Sequence, residues 1–228
     1  MLRSTRIVGL MFVTLAVLAV SAAPSHAGGL DLRAGAFFPR ADSNLFSDDS
    51  ELYTVKKSDW TGFSGGAEYS FNLGRQVELG LHVDGYGRTL DTEYRDFERP
   101  GGRPINQTLK LTTAPVGVTL RFVPGGRHGA TPYIGGGVDV VYYEYEEFGD
   151  FIDFQDPDLN IISDDFIDKG AAFGAHAVAG LRIPINHDFA ITAEGRYLWS
   201  KANMGEDFRG NKIDLGGPSA FVGVHISF

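Results

Sequence analysis

Ionisable side chains recur at every second position in several stretches of this chain. Arg33 stands in the first stretch and Glu68 in the second. Glu78, His82, Asp84 and Arg88 share the third, and Arg121 lies in the fourth. Asp139, His176, Arg182, Glu194, Arg196 and His225 continue the series towards the C-terminus. Two kinds of chemistry use these residue types. Serine with histidine and aspartate, as in Ser64, His82 and Asp84 or His176 with Ser200, is the material of a base-activated nucleophile. No segment has the form of a nucleophile elbow, and scattered Ser, His and Asp occur in any chain of this length, so catalysis is not the expectation. The other chemistry is ion pairing. Arg33, Arg88, Arg121, Arg182 and Arg196 can be balanced by Glu68, Glu78, Asp84, Asp139 and Glu194 if one fold brings them together.

The residues between these charges say which elements must position them. In the last segment Ala220, Val222, Val224, Ile226 and Phe228 alternate with Phe221, Gly223, His225 and Ser227. A period of two places successive side chains on opposite faces of a strand. Seven earlier segments alternate in the same way: Leu30–Phe38, Trp60–Asn72, Gln76–Arg88, Thr108–Val123, Thr131–Tyr145, Gly170–Ile183 and Phe189–Lys201. Pro115 within the fourth marks an expected bulge. Short turns follow the second, fourth and sixth segments, at Asn72-Leu73-Gly74-Arg75, Pro124-Gly125-Gly126 and Pro184–Asp188. Longer connections, on the order of twenty residues, follow the first, third, fifth and seventh. Eight segments make an even number, as a closed antiparallel barrel requires.

Polarity decides which way such a barrel faces. One face of nearly every strand is apolar and uncharged, for example Val77, Leu79, Leu81 and Val83. The other face carries both signs of charge. A lipocalin-like barrel or a β-sandwich would bury the apolar face, and the charges would lie outside. Mixed charges on the inward face would ruin an apolar core. They suit a barrel with lipid outside, where one charge facing the membrane midplane costs roughly 2–4 kcal/mol.

Other features agree. Arg3 and Arg6 precede an apolar run, Ile7 to Val20, of about fourteen residues, and Ser25-His26-Ala27 follows as a small-x-small site. Residues 1–27 are therefore expected to be a secretory signal peptide and residues 28–228 one domain. There is no cysteine, which removes disulfides, thiolate metal sites and cysteine nucleophiles. The 30 glycines weaken helix and make room inside a narrow barrel. The net charge of −9 argues against nucleic acid as a partner.

The leader, the alternating segments, the phrases Ala114-Pro115-Val116-Gly117-Val118 and Pro132-Tyr133-Ile134-Gly135-Gly136-Gly137, and the final Phe228 together resemble the small outer-membrane β-barrel family of the OmpA membrane domain, OmpX and OmpW. The terminal strand resembles the assembly signal of such barrels. The resemblance implies an all-β, eight-stranded antiparallel transmembrane barrel in the outer membrane of a Gram-negative-type bacterium. Its short turns and both termini would lie in the periplasm, and its long loops would lie outside. Implied partners are lipopolysaccharide, phospholipid and the barrel assembly machinery.

Such a barrel is barely wide enough for its own side chains. Its interior charges, Arg33, Glu68, Glu78, His82, Asp84, Arg88, Arg121, Asp139, His176, Arg182, Glu194 and Arg196, are expected to fill the lumen as a structural network. The alternative is a narrow, OmpW-like passage for small or hydrophobic molecules; a lipid-modifying enzyme is a third, weaker reading. No cofactor and no lumen metal are implied. The acidic segment 144–168 is expected to be a solvated loop that can recruit divalent cations. Trp60, Tyr69, Phe71, Phe122, Tyr133, Tyr142, Phe189, Tyr197, Trp199 and Phe228 are expected to form two interfacial girdles.

Overall fold

The structure, a computed structural model, describes residues 28–124, 129–154 and 156–228. The expected leader, and most of the turn at Pro124-Gly125-Gly126, lie outside them. Seven long strands come first: β1 (Gly28–Phe37), β2 (Gly62–Asn72), β3 (Val77–Arg99), β4 (Arg103–Phe122), β5 (Thr131–Ile152), β6 (Ile161–Pro184) and β7 (Phe189–Asn203). A short β8 (Lys212–Asp214) and the terminal β9 (Gly217–Ser227) follow. Every neighbour pairs antiparallel, β7 pairs with β9, and β9 pairs with β1, so eight strands close into a ring. Gly28 and Phe228 exchange backbone hydrogen bonds at the seam. β8 lies outside the ring and pairs only with the end of β7.

The strands are longer than a membrane needs. β3 has 23 residues, which at about 3.3 Å each reaches roughly 75 Å. A tilted strand crosses a bilayer in about 9–11 residues. The long connections expected after the third and fifth segments are therefore mostly strand. β3 turns into β4 across residues 100–102, and β5 into β6 across 153–160. The pairing continues through Glu93↔Asn106 and Ile152↔Ile161. Pro115 does not make a bulge. Pairing with β3 lapses beside it, yet Val83↔Val116 and Tyr86↔Thr113 keep one register; the irregularity lies instead between Glu93 and Glu98.

The two faces exchange character part-way up the wall. In the half nearer the termini the outer face is apolar and exposed, as at Leu81, Val118, Leu120, Ile134, Val138, Phe173 and Val222. Farther out, β3 turns Thr89, Asp91 and Glu93 outward, and β5 turns out Glu144 and Glu146. The inner face changes in the opposite sense. Charged residues line the lower half. Leu90, Tyr94, Ile105, Leu109, Leu111, Val141 and Tyr145 pack together in the upper half. The lower half is built for lipid and the upper half for water.

The first connection fills this upper core. Residues Asn44–Leu52 form a helix, α1, followed by a short 3₁₀ turn at Lys57–Trp60. Leu45, Phe46 and Asp49 fall on one side of α1 and are buried. Phe46 packs edge-on against Trp60, and Trp60 lies against Tyr145. The backbone N–H of Lys212 donates to the Asn44 side chain at 2.8 Å, which ties α1 to β8. Together α1 and the 3₁₀ turn plug the outer end of the barrel.

Candidate functional site

The lumen is organised in levels along the barrel axis. At the end that holds the termini is an open vestibule of about 600 Å³, walled by Ser70, Glu78, Arg182, His187 and His225 among others. Its inner limit is formed by two pairs. Arg182 donates to Glu78 Oε1 at 3.1 Å and to Oε2 at 3.3 Å. His225 Nδ1 lies 3.0 Å from Asp31 Oδ2.

Above the vestibule three arginines and three carboxylates interlock. Arg33 Nε and Nη2 form a fork with Asp84 at 2.9 and 2.7 Å, and Nη1 reaches Glu194 at 3.0 Å and Glu68 at 3.3 Å. Arg121 donates both terminal nitrogens to Glu68, and one of them to Glu194 at 3.1 Å. Arg196 reaches Asp84 at 2.9 Å and Glu194 at 3.2 Å. Tyr133 donates to Glu194 at 2.9 Å and lies under the Arg121 guanidinium. All are buried. Planar guanidinium groups suit such shared, forked contacts, and each buried charge has opposite charge beside it, as a low-dielectric interior demands.

Glycine makes the space. A Cβ on Gly66 would lie 2.2 Å from Asp84 Oδ1, and one on Gly80 would lie 2.2 Å from Glu68 Oε1. These glycines share the inward face with the charges two residues away, so the strand alternates bulk with vacancy along its length.

A second cluster adjoins this network through His82, whose Nε2 lies 3.9 Å from Asp84 Oδ2. Asp139 Oδ1 lies 2.9 Å from His82 Nε2, and Oδ2 lies 2.7 Å from His176 Nδ1. Thr119 Oγ1 lies 3.3 Å from His82 Nδ1 and 3.0 Å from His176 Nε2. A small cavity of about 30 Å³ touches Asp84, Asp139, Thr113 and Arg196. Above it Tyr86, Leu198 and Phe37 begin the apolar outer core.

A third polar group lies within that outer core, beyond the membrane. Tyr145 Oη is 2.8 Å from Asp49 Oδ2 on α1 and 2.8 Å from Glu147 Oε1 on β5. Burial, then the nearby Glu147 charge, pushes the Asp49 carboxyl well above its ordinary range. Burial likewise raises Glu147. Burial and the two acids raise the Tyr145 phenol.

The family model for the outer membrane protein beta-barrel domain matches residues 10–217. The chain belongs to this family. Membership places it in the outer membrane, with the apolar lower wall facing lipid. Among solved structures it is similar to the outer membrane protein OprG from Pseudomonas aeruginosa, with 13% identity over 89% of this chain and 97% of that one and a TM-score of 0.55. Neisserial surface protein A, NspA, shares 12% identity over 89% and 97% at a TM-score of 0.48. At such identities the likeness is one of fold. No curated protein sequence matches.

The barrel brings most of the expected residues together in the lumen, as three adjoining groups linked by the His82–Asp84 contact and by Tyr133, which lies under Arg182 and donates to Glu194. Arg33, Glu68, Asp84, Arg121, Glu194 and Arg196 form the central knot. Glu78 pairs with Arg182 near the vestibule, and Asp139 joins His82 and His176. Arg88 is not in the lumen network. It is half-buried, and its Nε donates to the Asp59 carbonyl at 2.8 Å, anchoring the first connection. At that height the barrel interior is already apolar. Asp31, Thr119 and Tyr133 were not among the expected network residues. Each lies at inward parity on its strand, which is the signal that could have found it. Two girdle assignments also change: Trp60 lies in the plug at 1% exposure and Tyr133 faces the lumen at 4%. The acidic segment 144–168 is mostly paired strand, with a loop only at 153–160. Glu144 and Glu146 lie on strand and meet Lys110 and Lys169 across the sheet, Asp150 pairs with Arg99, and Asp168 accepts from Tyr143 at 2.8 Å.

Proposed function

We propose that this member of the family is a closed barrel that works through its wall and its rigid outer extension, in envelope integrity and surface contact, without catalysis. The observation that carries the reading is the filled lumen. From the vestibule outward, a solute meets the Glu78–Arg182 pair, the arginine–carboxylate knot, the histidine cluster and the apolar plug in turn. The extension is paired strand rather than loose loop, so it can present a fixed surface. That surface holds Asp91, Glu93, Asp164 and Asp165 beside exposed Phe154 and Ile162. The lipid-facing wall would contact phospholipid and lipopolysaccharide, divalent cations could bridge the remaining carboxylates to lipopolysaccharide phosphates, and β9 would be read by the barrel assembly machinery.

The vestibule favours one second reading, restricted passage after rearrangement of the plug. Planar-bilayer recording separates the two. The closed barrel should give no large, stable open steps, and such steps in the unaltered protein would overturn the closed reading. The surface role is tested with barrels whose hairpins are shortened between Tyr94 and Arg103 and between Phe148 and Asp165. Cells carrying them should attach less well to surfaces than cells with the full barrel; equal attachment counts against the proposal.

A further inference from the structure

Charge and hydrogen-bond counting single out the histidine cluster. Among the described residues of the membrane-spanning lumen, the cations Arg33, Arg121, Arg182 and Arg196 face the carboxylates Asp31, Glu68, Glu78, Asp84, Asp139 and Glu194. The arginines balance Glu68, Glu78, Asp84 and Glu194, and of the two carboxylates left over Asp31 has His225 at 3.0 Å and Arg182 at 3.9 Å. Asp139 has no arginine within ion-pair distance among the described residues; its partners are His82 and His176. With both imidazoles neutral, its charge stays uncompensated in a buried position, which is costly.

The hydrogen bonds show the same shortage. Asp139, His82, Thr119 and His176 form a closed ring of four polar contacts. A carboxylate only accepts, a neutral imidazole supplies one N–H, and a hydroxyl supplies one O–H. Three protons cannot fill four contacts. The ring is short of one positive particle.

We propose that His82, Asp139 and His176 form a transition-metal site of the zinc type, with Thr119 as the shared outer acceptor. Two imidazoles and one carboxylate are a zinc donor set and are too nitrogen-rich for calcium or magnesium. The three ligand atoms already lie within 4.8 Å of one another, and all three residues are buried. Metal–ligand distances near 2.0–2.1 Å place tetrahedral ligands about 3.3 Å apart; Asp139 now meets the two rings through different oxygens, Oδ1 on His82 at 2.9 Å and Oδ2 on His176 at 2.7 Å, so the carboxylate must turn one oxygen towards both rings as the ion enters between them. His82 Nε2 and His176 Nδ1 would bind the ion. Each ring's remaining nitrogen would then carry a proton aimed at Thr119 Oγ1, whose two lone pairs accept both. That arrangement is the usual second tier of a histidine metal site. It also removes the missing proton, because the ion replaces it.

The backbone packs closely against the cluster, and glycine keeps side-chain bulk away from it. Gly117 and Gly137 flank the cluster. A Cβ on Gly117 would lie 2.4 Å from Asp139 Oδ1 and 2.8 Å from His82 Cε1, and one on Gly137 would lie 2.7 Å from His176 Cε1. The adjoining 30 Å³ cavity is large enough for a water, which would supply the fourth ligand. Closed on both sides, the site would be loaded as the barrel forms and would hold neighbouring strands β3, β4, β5 and β6 together, a structural rather than catalytic role.

The test uses full-chain protein purified in detergent from outer membranes, and the same protein refolded with Zn²⁺ or Co²⁺ and then passed over a chelating column. One metal per barrel, with visible ligand-field absorption in the cobalt form, supports the site. Asp139→Asn and the double variant His82→Gln/His176→Gln should retain less than a tenth of the metal, while His187→Ala on the exposed turn should retain all of it. Thr119→Val changes no charge and keeps the test open where the other variants do not fold; it should weaken retention about 10- to 100-fold. Metal-free wild-type barrel after loading, or retention that is the same in wild type and all variants, would overturn the proposal and leave a protonated imidazole as the missing positive charge.

Discussion

The Asp49–Tyr145–Glu147 group makes the outer plug depend on pH. Tyr145 has one hydroxyl proton and two carboxyl contacts of equal length, so the second contact needs a proton on Asp49 or Glu147. Both acids titrate above their ordinary range, chiefly through burial. A raised carboxyl pKa means that the folded plug binds more protons than the open one. Its stabilisation is full at acid pH and is lost as pH rises through the raised values. Asp49→Asn supplies a permanent amide donor and removes one acid. What it retains at alkaline pH is one hydrogen bond to a charged group, about 1.5–3 kcal/mol, or roughly ten- to a hundredfold in the plug's opening equilibrium. Trp60 is the reporter, since it is 1% exposed within the plug whereas Trp199 is 48% exposed on the wall. In a Trp199→Phe background, Trp60 emission and proteolysis between residues 39 and 61 should show the wild-type plug loosening as pH is raised above the ordinary carboxylate range. The Asp49→Asn plug should stay closed over the same rise. Equal pH profiles, or a variant looser than wild type at high pH, would refute the shared-proton argument.

Three more outcomes follow from the packing. Gly137→Ala should block or badly slow barrel closure, because its Cβ would meet the Val118 carbonyl at 1.8 Å, whereas Gly195→Ala, whose nearest atom lies at 3.9 Å, should assemble normally; heat-dependent gel migration reads both. Arg121→Met should cost about 3 kcal/mol in urea unfolding, the lower end for a broken buried pair because Arg33 and Arg196 still reach Glu68. Adding Glu68→Gln should recover part of that loss, and a double variant weaker than the single would contradict the network. Trp60→Ala should release the plug at a cost of about 3–5 kcal/mol while the ring stays folded, seen as cleavage of the first connection with an intact barrel band.

Strand number, inward parity and the lipid-facing wall were legible in the sequence because period-two alternation is strong where one face must be greasy and the other must not. Leu79, Leu81 and Val83 against Glu78, His82 and Asp84 leave one reading. Strand ends were not legible. Past Arg88 the alternation continues as Thr89/Leu90/Asp91/Thr92, but the apolar residues shift to the inward face, so the pattern reads as a break when it is the same strand with its solvent exchanged. The acidic run 144–168 misled for a related reason. Its charges look unbalanced along the chain, and Lys110, a balancing base, joins only through pairing with β4. Helix α1 was hidden because Asp48, Asp49, Ser50 and Glu51 give a polar stretch with two apolar anchors, Leu45 and Phe46. Its burial comes from the barrel mouth rather than from its own periodicity.

The exchange of faces explains why one chain needs both an ionic knot and an apolar plug. Inside the bilayer the wall gains nothing from an apolar lumen, since lipid outside is as apolar as any core; backbone pairing closes the ring, and the lumen needs only matched charge and volume. Once the strands leave the membrane, water surrounds them and the ordinary hydrophobic drive returns. A ring of strands with a polar outer face must then bury something apolar within, and eight inward-facing rows leave a central space that the wall residues Leu109, Leu111 and Tyr145 do not fill alone. Phe46 and Trp60 complete that core. The plug is therefore a condition for strands of this length: removing α1 should leave the membrane-spanning half closed and the extension frayed. A barrel lacking residues 41–60 whose hydrogen exchange stayed slow at Leu109 and Tyr145 would show that the extension is stabilised by pairing alone.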